Sequence, residues 1–221
     1  MKTVASTLAA AVLWLPGSVG AQSPAAPMEG IAVDEYAERR SRMLDHVSDG
    51  ILLIHARAAE KEMEQWGFIQ DPGFLYLTGL PDLPMAILAL DGVRGESHLF
   101  VPPPPTSFGM PVQGVIPAAT EEGARTLGLD GVHPWSEAAG WIERRSREGV
   151  ERLYVNEPRR PVAPGLPDDF SRVSGPLDLW QQALGEAFPS LEIASVKEAL
   201  RDLRSTEIAA AESSVFIFIP L

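Results

Sequence analysis

Phe68-Ile69-Gln70-Asp71-Pro72-Gly73-Phe74-Leu75-Tyr76-Leu77-Thr78-Gly79 decides how this 221-residue chain is read. Asp71-Pro72-Gly73 has turn composition, and three aromatic residues surround it. Phe74 to Thr78 is an apolar run, and Gly79 lets the backbone turn where a side chain could not. The pattern predicts a β-strand over Phe74–Thr78 entered through a tight turn.

Working outward, Ile51–Ile54 is a short apolar run suited to the inside of a sheet. Met85–Leu90 is another strand, closed by the turn pair Asp91-Gly92, and His98–Val101 a further one, closed by Pro102 to Pro105. The strands from Phe74 to Val101 follow one another without room for a helix, which predicts an antiparallel meander. Upstream, Tyr36, Met43, Leu44 and Val47 recur among charges and predict an amphipathic helix over Asp34–His46. Ala58–Trp66 reads as a short helical or irregular connection.

Downstream, helical composition over Ala118–Leu127, Ser136–Glu148 and Leu177–Phe188 alternates with short strand-like segments at Gly131–His133, Arg152–Val155 and Leu191–Ile193. Residues 157–176 hold five prolines and read as an irregular excursion. Ser195 to about Glu212 is a last helix. Meander plus alternation predicts an α/β fold, a mixed β-sheet with helices on both faces. The chain divides into 1–21, 22–32, 33–194, 195–212 and 213–221. The last of these holds the apolar run Val215–Leu221, whose β-prone, uncharged composition suggests a cut or altered end.

Residues 1–21 follow the secretory-signal pattern: Lys2, an apolar core from Val4 to Leu15, and the small-residue exit Val19-Gly20-Ala21. About 12 apolar residues fall short of the ~20 that span a bilayer. Cleavage is expected after Ala21, then a flexible linker over 22–32, giving an exported protein, periplasmic or secreted, with no membrane association once the signal is gone. The chain has no cysteine, so neither disulfides nor thiolate chemistry enter. A net charge of −12 argues against nucleic acid as a partner. The basic runs Arg39–Arg42 and Arg144–Arg147 read as solvated helix faces.

The sequence carries no Gly-x-Ser-x-Gly elbow, no His-Glu-x-x-His helix and no phosphate-cradling glycine loop. His46, His55, His98 and His133 are scattered and read as surface or strand-end residues, not ligands. Asp168-Asp169 is a tight acidic pair in a loop and the best candidate for an unrecognised hydrolase or hard-cation site, but no third ligand is near it. The expectation is therefore no catalytic, cofactor-binding or metal residue.

Several segments, taken in order, resemble the N-terminal domain of aminopeptidase P and its prolidase and creatinase relatives. They are Tyr36–Leu44, Asp49–Ile54, Phe68–Gly79, Met85–Leu90, Leu99–Pro103 and Val196–Arg204, and the resemblance spans about residues 34–208. It implies a mixed sheet flanked by helices, of ribonuclease H-like type. It also implies that chemistry belongs to a following domain in which two Asp, one His and two Glu hold a metal pair, usually manganese. No such ligand can be placed on this sequence, so no cofactor is expected within it. The family often carries Glu-x-Trp-x-Gly where Thr106–Gly114 stands here, and the Lys-x-x-x-Glu-Ile pattern after Leu203-Arg204 is shortened to Ser205-Thr206-Glu207-Ile208. The resemblance implies a homo-oligomer, or the enzyme's own catalytic domain, as partner. A free-standing exported binding or scaffold module of the same fold is the alternative.

Overall fold

The computed structural model describes residues 27–57, 69–104, 106–107, 110–111, 116–156 and 177–205. Residues 1–21, read above as a signal cleaved after Ala21, the connection Ala58–Trp66, Phe68, the stretch 157–176 with Asp168-Asp169, and the tail Val215–Leu221 lie outside them.

The chain begins with α1 (Val33–His46), followed by β1 (Gly50–His55) and α2 (Pro72–Thr78). The strands β2 (Ile87–Asp91) and β3 (Glu96–Val101) come next, then two short segments, β4 (Thr106–Ser107) and β5 (Met110–Pro111). After these come α3 (Glu121–Thr126), β6 (Gly131–Pro134), a 3-10 turn at Trp135–Glu137, α4 (Ala138–Arg147) and β7 (Arg152–Val155). The described part closes with α5 (Leu177–Ala187), β8 (Glu192–Ser195) and a helix over residues 197–205.

Six strands form one sheet in the order β6-β3-β2-β1-β7-β8, and β4 pairs only with β5. β2 runs antiparallel to both β1 and β3, while β6, β7 and β8 each join in parallel. The sheet is mixed, as expected, because a hairpin strand can be followed antiparallel whereas each helical crossover returns the chain in parallel.

Alternate residues of each strand feed two separate cores. On one face Leu52, Ile54, Leu88, Leu90, Leu99 and Val132 pack with Met43 and Val47 of α1, Phe74 and Leu77 of α2, Leu127 beyond α3, and Leu200 of the last helix. On the other, Ile51, Leu53, Ile87, Phe100, Leu153 and Val155 pack with Trp141 and Ile142 of α4 and with Leu184 of α5. Helices therefore cover both faces. β1 is buried along its whole length, which explains its uninterrupted apolar sequence.

The strand expected at Phe74–Thr78 is instead the helix α2. Asp71 is its N-cap: Oδ1 accepts hydrogen bonds from the backbone N–H groups of Gly73 and Phe74, both at 2.9 Å. Pro72 occupies the first turn, where a missing N–H costs nothing. Gly79, at φ 70°, ends the helix in the left-handed conformation, and its N–H returns to the Leu75 carbonyl. Thr78 Oγ1 donates to the Phe74 carbonyl at 2.7 Å. Asp-Pro at one end and Gly at the other are cap signals, and they outweigh a five-residue apolar run whose period fits either element. The meander is consequently built from β1, β2 and β3.

Gln70 fixes the entry to α2. Its side-chain amide donates to the carbonyls of Leu80 and Leu83, while its Oε1 accepts from the N–H groups of Arg57 and Asp71. The exit is fixed by a ring: a Cβ placed on Gly79 would lie 2.3 Å from the Tyr36 ring. Asp71→Ala should cost about 1 kcal/mol of stability, with Asp71→Asn close to neutral. Gly79→Ala should cost more, about 2 kcal/mol or above, because strain at positive φ adds to a clash with a buried ring. Urea denaturation checks both; a null effect of Asp71→Ala would contradict the cap.

Candidate functional site

Two arginines from the basic runs do not behave as solvated faces. Arg40 is 2% exposed. Its guanidinium donates to the Leu77 carbonyl at 2.9 Å, to the Leu127 carbonyl at 3.4 Å, and to the Gly128 carbonyl. These carbonyls lie at the C-terminal ends of α2 and α3, where a cation is favoured. Burial lowers its pKa to about 10, partly opposed by the charge of Asp130, so the cation persists at neutral pH.

Asp130 carries the constraint onward. Its Oδ2 accepts from the Ser97 N–H at 2.7 Å and from the Ser97 hydroxyl at 3.1 Å, and its own N–H donates to the Ser97 carbonyl. This clamp starts β6 in register with β3, pairing His98 with Gly131 and Phe100 with His133. Two histidines 35 positions apart in sequence thereby meet: His98 Nδ1 lies 3.1 Å from His133 Nε2.

The reading of scattered, unrelated histidines is thus corrected for this pair. His98 is 7% exposed, so it is not a surface residue either. The contact arises from parallel pairing of β3 with β6 across a helix, which sequence spacing does not display. His46 is exposed in the last turn of α1, as expected. His55 is buried at the end of β1, and burial pushes its pKa down to about 4.

Glycine makes the pairing possible. A Cβ on Gly131 would lie 2.5 Å from His133 Nε2 and 2.7 Å from His98 Nδ1. Each imidazole also faces a carboxylate with its other nitrogen: His98 Nε2 is 3.2 Å from Glu96 Oε2, and His133 Nδ1 is 3.9 Å from Glu137 Oε2. His133 stacks on Phe100, and His98 lies against Trp141.

Arg145 extends the row. Its Nε is 3.0 Å from Oδ2 of the fully buried Asp91, and its two terminal nitrogens reach Glu96 at 3.0 Å and Glu148 at 3.1 Å. Its guanidinium also sits 5.1 Å over the Trp141 ring. Carboxylate, guanidinium, carboxylate, imidazole, imidazole and carboxylate therefore alternate along one end of the sheet. Chemically this row can hold a proton or a cation between its two imidazoles. Among the described residues no group of three His, Asp or Glu side chains converges as a metal cage.

Burial is the main cause that lowers the pKa of His133, followed by the charges of His98 and Arg144, with Glu137 opposing. His55 and His133 both titrate lower in the fold than the ~6.5 of an unfolded chain. Their contribution is complete above about pH 6.5 and is lost as pH falls, for His55 down to about 4. For His55 this amounts to an order of 3 kcal/mol. Equilibrium unfolding followed from pH 7.5 to 4.5 should show stability falling with acidification, with a shallower fall in His133→Gln. A flat profile would contradict the neutral imidazoles.

The family model described as aminopeptidase P, N-terminal domain, matches residues 36–149, just over half of the chain. No curated protein matches it. Among solved structures, a Bacillus anthracis protein described as an aminopeptidase P is 19% identical, with a TM-score of 0.58 over 79% of this chain and 40% of its own. The proline aminopeptidase P II of Yersinia pestis is 17% identical, with a TM-score of 0.52 over 79% of this chain and 39% of its own. Aminopeptidase PepP of Pseudomonas aeruginosa is 22% identical, with a TM-score of 0.50 over 78% and 38%. These likenesses show a shared fold, and the chain spans about 40% of the length of the structures it matches. The six-stranded mixed sheet, its two helical layers and the match over residues 36–149 agree: the chain belongs to the aminopeptidase P N-terminal domain family.

Proposed function

We propose that this chain serves as the non-catalytic N-terminal lobe of an exported Xaa-Pro aminopeptidase-type metallopeptidase. The parent reaction would be removal of an N-terminal residue that precedes proline, and the lobe would provide oligomer contact and restrict access to the reacting centre. The observation that carries this reading is that the family match falls on the N-terminal domain alone, in a chain spanning about 40% of its structural relatives.

Manganese chemistry fits poorly with the described residues. Hard oxygen ligands suit that ion, whereas the acid-and-histidine row described above turns imidazole nitrogens toward each other and commits Glu96 to His98 and Arg145. No hydrolytic step is therefore assigned to these side chains. Thr106–Gly114 departs from the Glu-x-Trp-x-Gly that the family often carries, so no substrate contact is assigned to the ribbon β4–β5, which among the described residues pairs with itself and not with the six-stranded sheet. That independence suits a contact element.

The purified chain, supplied with manganese and a Xaa-Pro peptide, should release no N-terminal amino acid above the blank. Saturable, chelator-sensitive release would overturn the reading. Export is tested separately: intact-mass measurement of the chain recovered from outside the cytoplasm should show a mature N-terminus at Gln22. Retention of Met1–Ala21 in that material would remove the signal from the proposal.

A further inference from the structure

We propose that His98 and His133 form a two-imidazole site for a borderline divalent cation, zinc or copper(II), at the β6 end of the sheet. Metal–nitrogen bonds of ~2.0–2.1 Å meeting at about 95–110° place the two nitrogens ~3.0–3.4 Å apart. His98 Nδ1 and His133 Nε2 stand 3.1 Å apart. The protein thus holds two donor atoms at the separation of one edge of such a coordination polyhedron, and since the ring centroids stand 5.3 Å apart with the nitrogens facing each other, the rings turn on their own bonds to aim both lone pairs at one ion.

The outer nitrogens support the same reading. A ligating histidine commonly gives its second N–H to a carboxylate, which fixes the ring and raises its basicity. Glu96 is in that position toward His98 at 3.2 Å, and Glu137 faces His133 at 3.9 Å. With both N–H groups turned outward, two lone pairs confront one another, and a cation between them relieves that repulsion. Gly131 leaves the space in front of both nitrogens clear, since a Cβ there would fall 2.5 and 2.7 Å from those two atoms.

Charge and access set the limits of the site. Arg145 shares Glu96, and Arg144 acts on His133 in the sense that disfavours a cation, so the site is a modest one. His133 is partly exposed, with its side chain 30% accessible, so water can complete the coordination. Imidazole donors suit zinc and copper rather than manganese or magnesium. The inference is independent of the proposed role in a peptidase.

The test uses the full chain without a histidine tag, titrated with zinc by calorimetry at pH 7.5, with histidine ¹⁵N shifts read in parallel. One equivalent should bind and shift the ring nitrogens of His98 and His133. His98→Gln and His133→Gln should each weaken binding at least ~10-fold, and Glu137→Gln by ~10-fold through the outer contact. His46→Gln, at an exposed position, should leave it unchanged. Circular dichroism confirms that each variant is folded. If either imidazole variant unfolds, Glu137→Gln and the ¹⁵N shifts of the unaltered chain decide the matter. Absence of binding, binding equal in all variants, or zinc-induced shifts confined to His46 would each overturn the site and leave the pair as a shared proton only.

Discussion

A single buried guanidinium sets the geometry on which the β6 end of this domain depends. Arg40 reaches from α1 to the carbonyl ends of both α2 and α3, so three helices that are distant in sequence share one cation. Burying a charge is costly unless its donors are satisfied; three backbone carbonyls satisfy the terminal nitrogens, while Nε has no hydrogen-bond partner among the described residues. Since those carbonyls are themselves orphan acceptors at helix ends, each side removes the other's unmet bond. Asp130, whose charge favours Arg40's cationic form, then pins Ser97 and fixes where β6 begins. A slip of one residue there would turn His133 to the opposite face of the sheet. The histidine contact is in this sense a downstream product of Arg40.

Much of this was legible in the chain. The helix over Asp34–His46, the strands at Ile51–Ile54 and His98–Val101, and the alternation after Ala118 all follow from local period and turn residues, and the structure contains each of them. Three departures are instructive because they have different causes. Phe74–Thr78 was misread although its signals were present: an N-cap aspartate, a first-turn proline and a terminal glycine state a helix in local terms, and the apolar run drew the reading toward a strand. The pairing of His98 with His133 had no local signal at all. It depends on two strands becoming parallel neighbours across α3, and the only trace in the sequence is Gly131, whose missing side chain makes sense once both rings are seen. The basic runs failed for a third reason. Charge composition cannot tell which arginine of a run points inward, and Arg40 and Arg145 do.

The two-sided burial of the sheet bears on the kind of work this domain can do. Along its whole length β1 is buried between the two helical layers. Polar groups that converge do so at the margins, where strand ends and loops are within reach of solvent. The row from Asp91 to Glu137 lies at one margin, and the separately paired ribbon β4–β5 follows β3 in the chain.

That row is also a poor device for stability alone. Several of its members are partly exposed, and exposed ion pairs contribute ~1 kcal/mol or less. The pair of Asp91 and Arg145 could be replaced together at little cost by apolar side chains of similar volume, whereas removing Asp91 alone would strand Arg145. Two imidazoles facing one another with a carboxylate behind each make a field that is least favourable when nothing positive lies between them. A structure that spends the side chain of Gly131 to admit such a contact, beneath Phe100 and Trp141, gains from it only if a proton or a metal occupies the gap. Of the two rings, His133 is the one whose pKa is lowered, by burial and by the charge of His98, and the 3.1 Å between the nitrogens is both a hydrogen-bond distance and the edge of a zinc polyhedron.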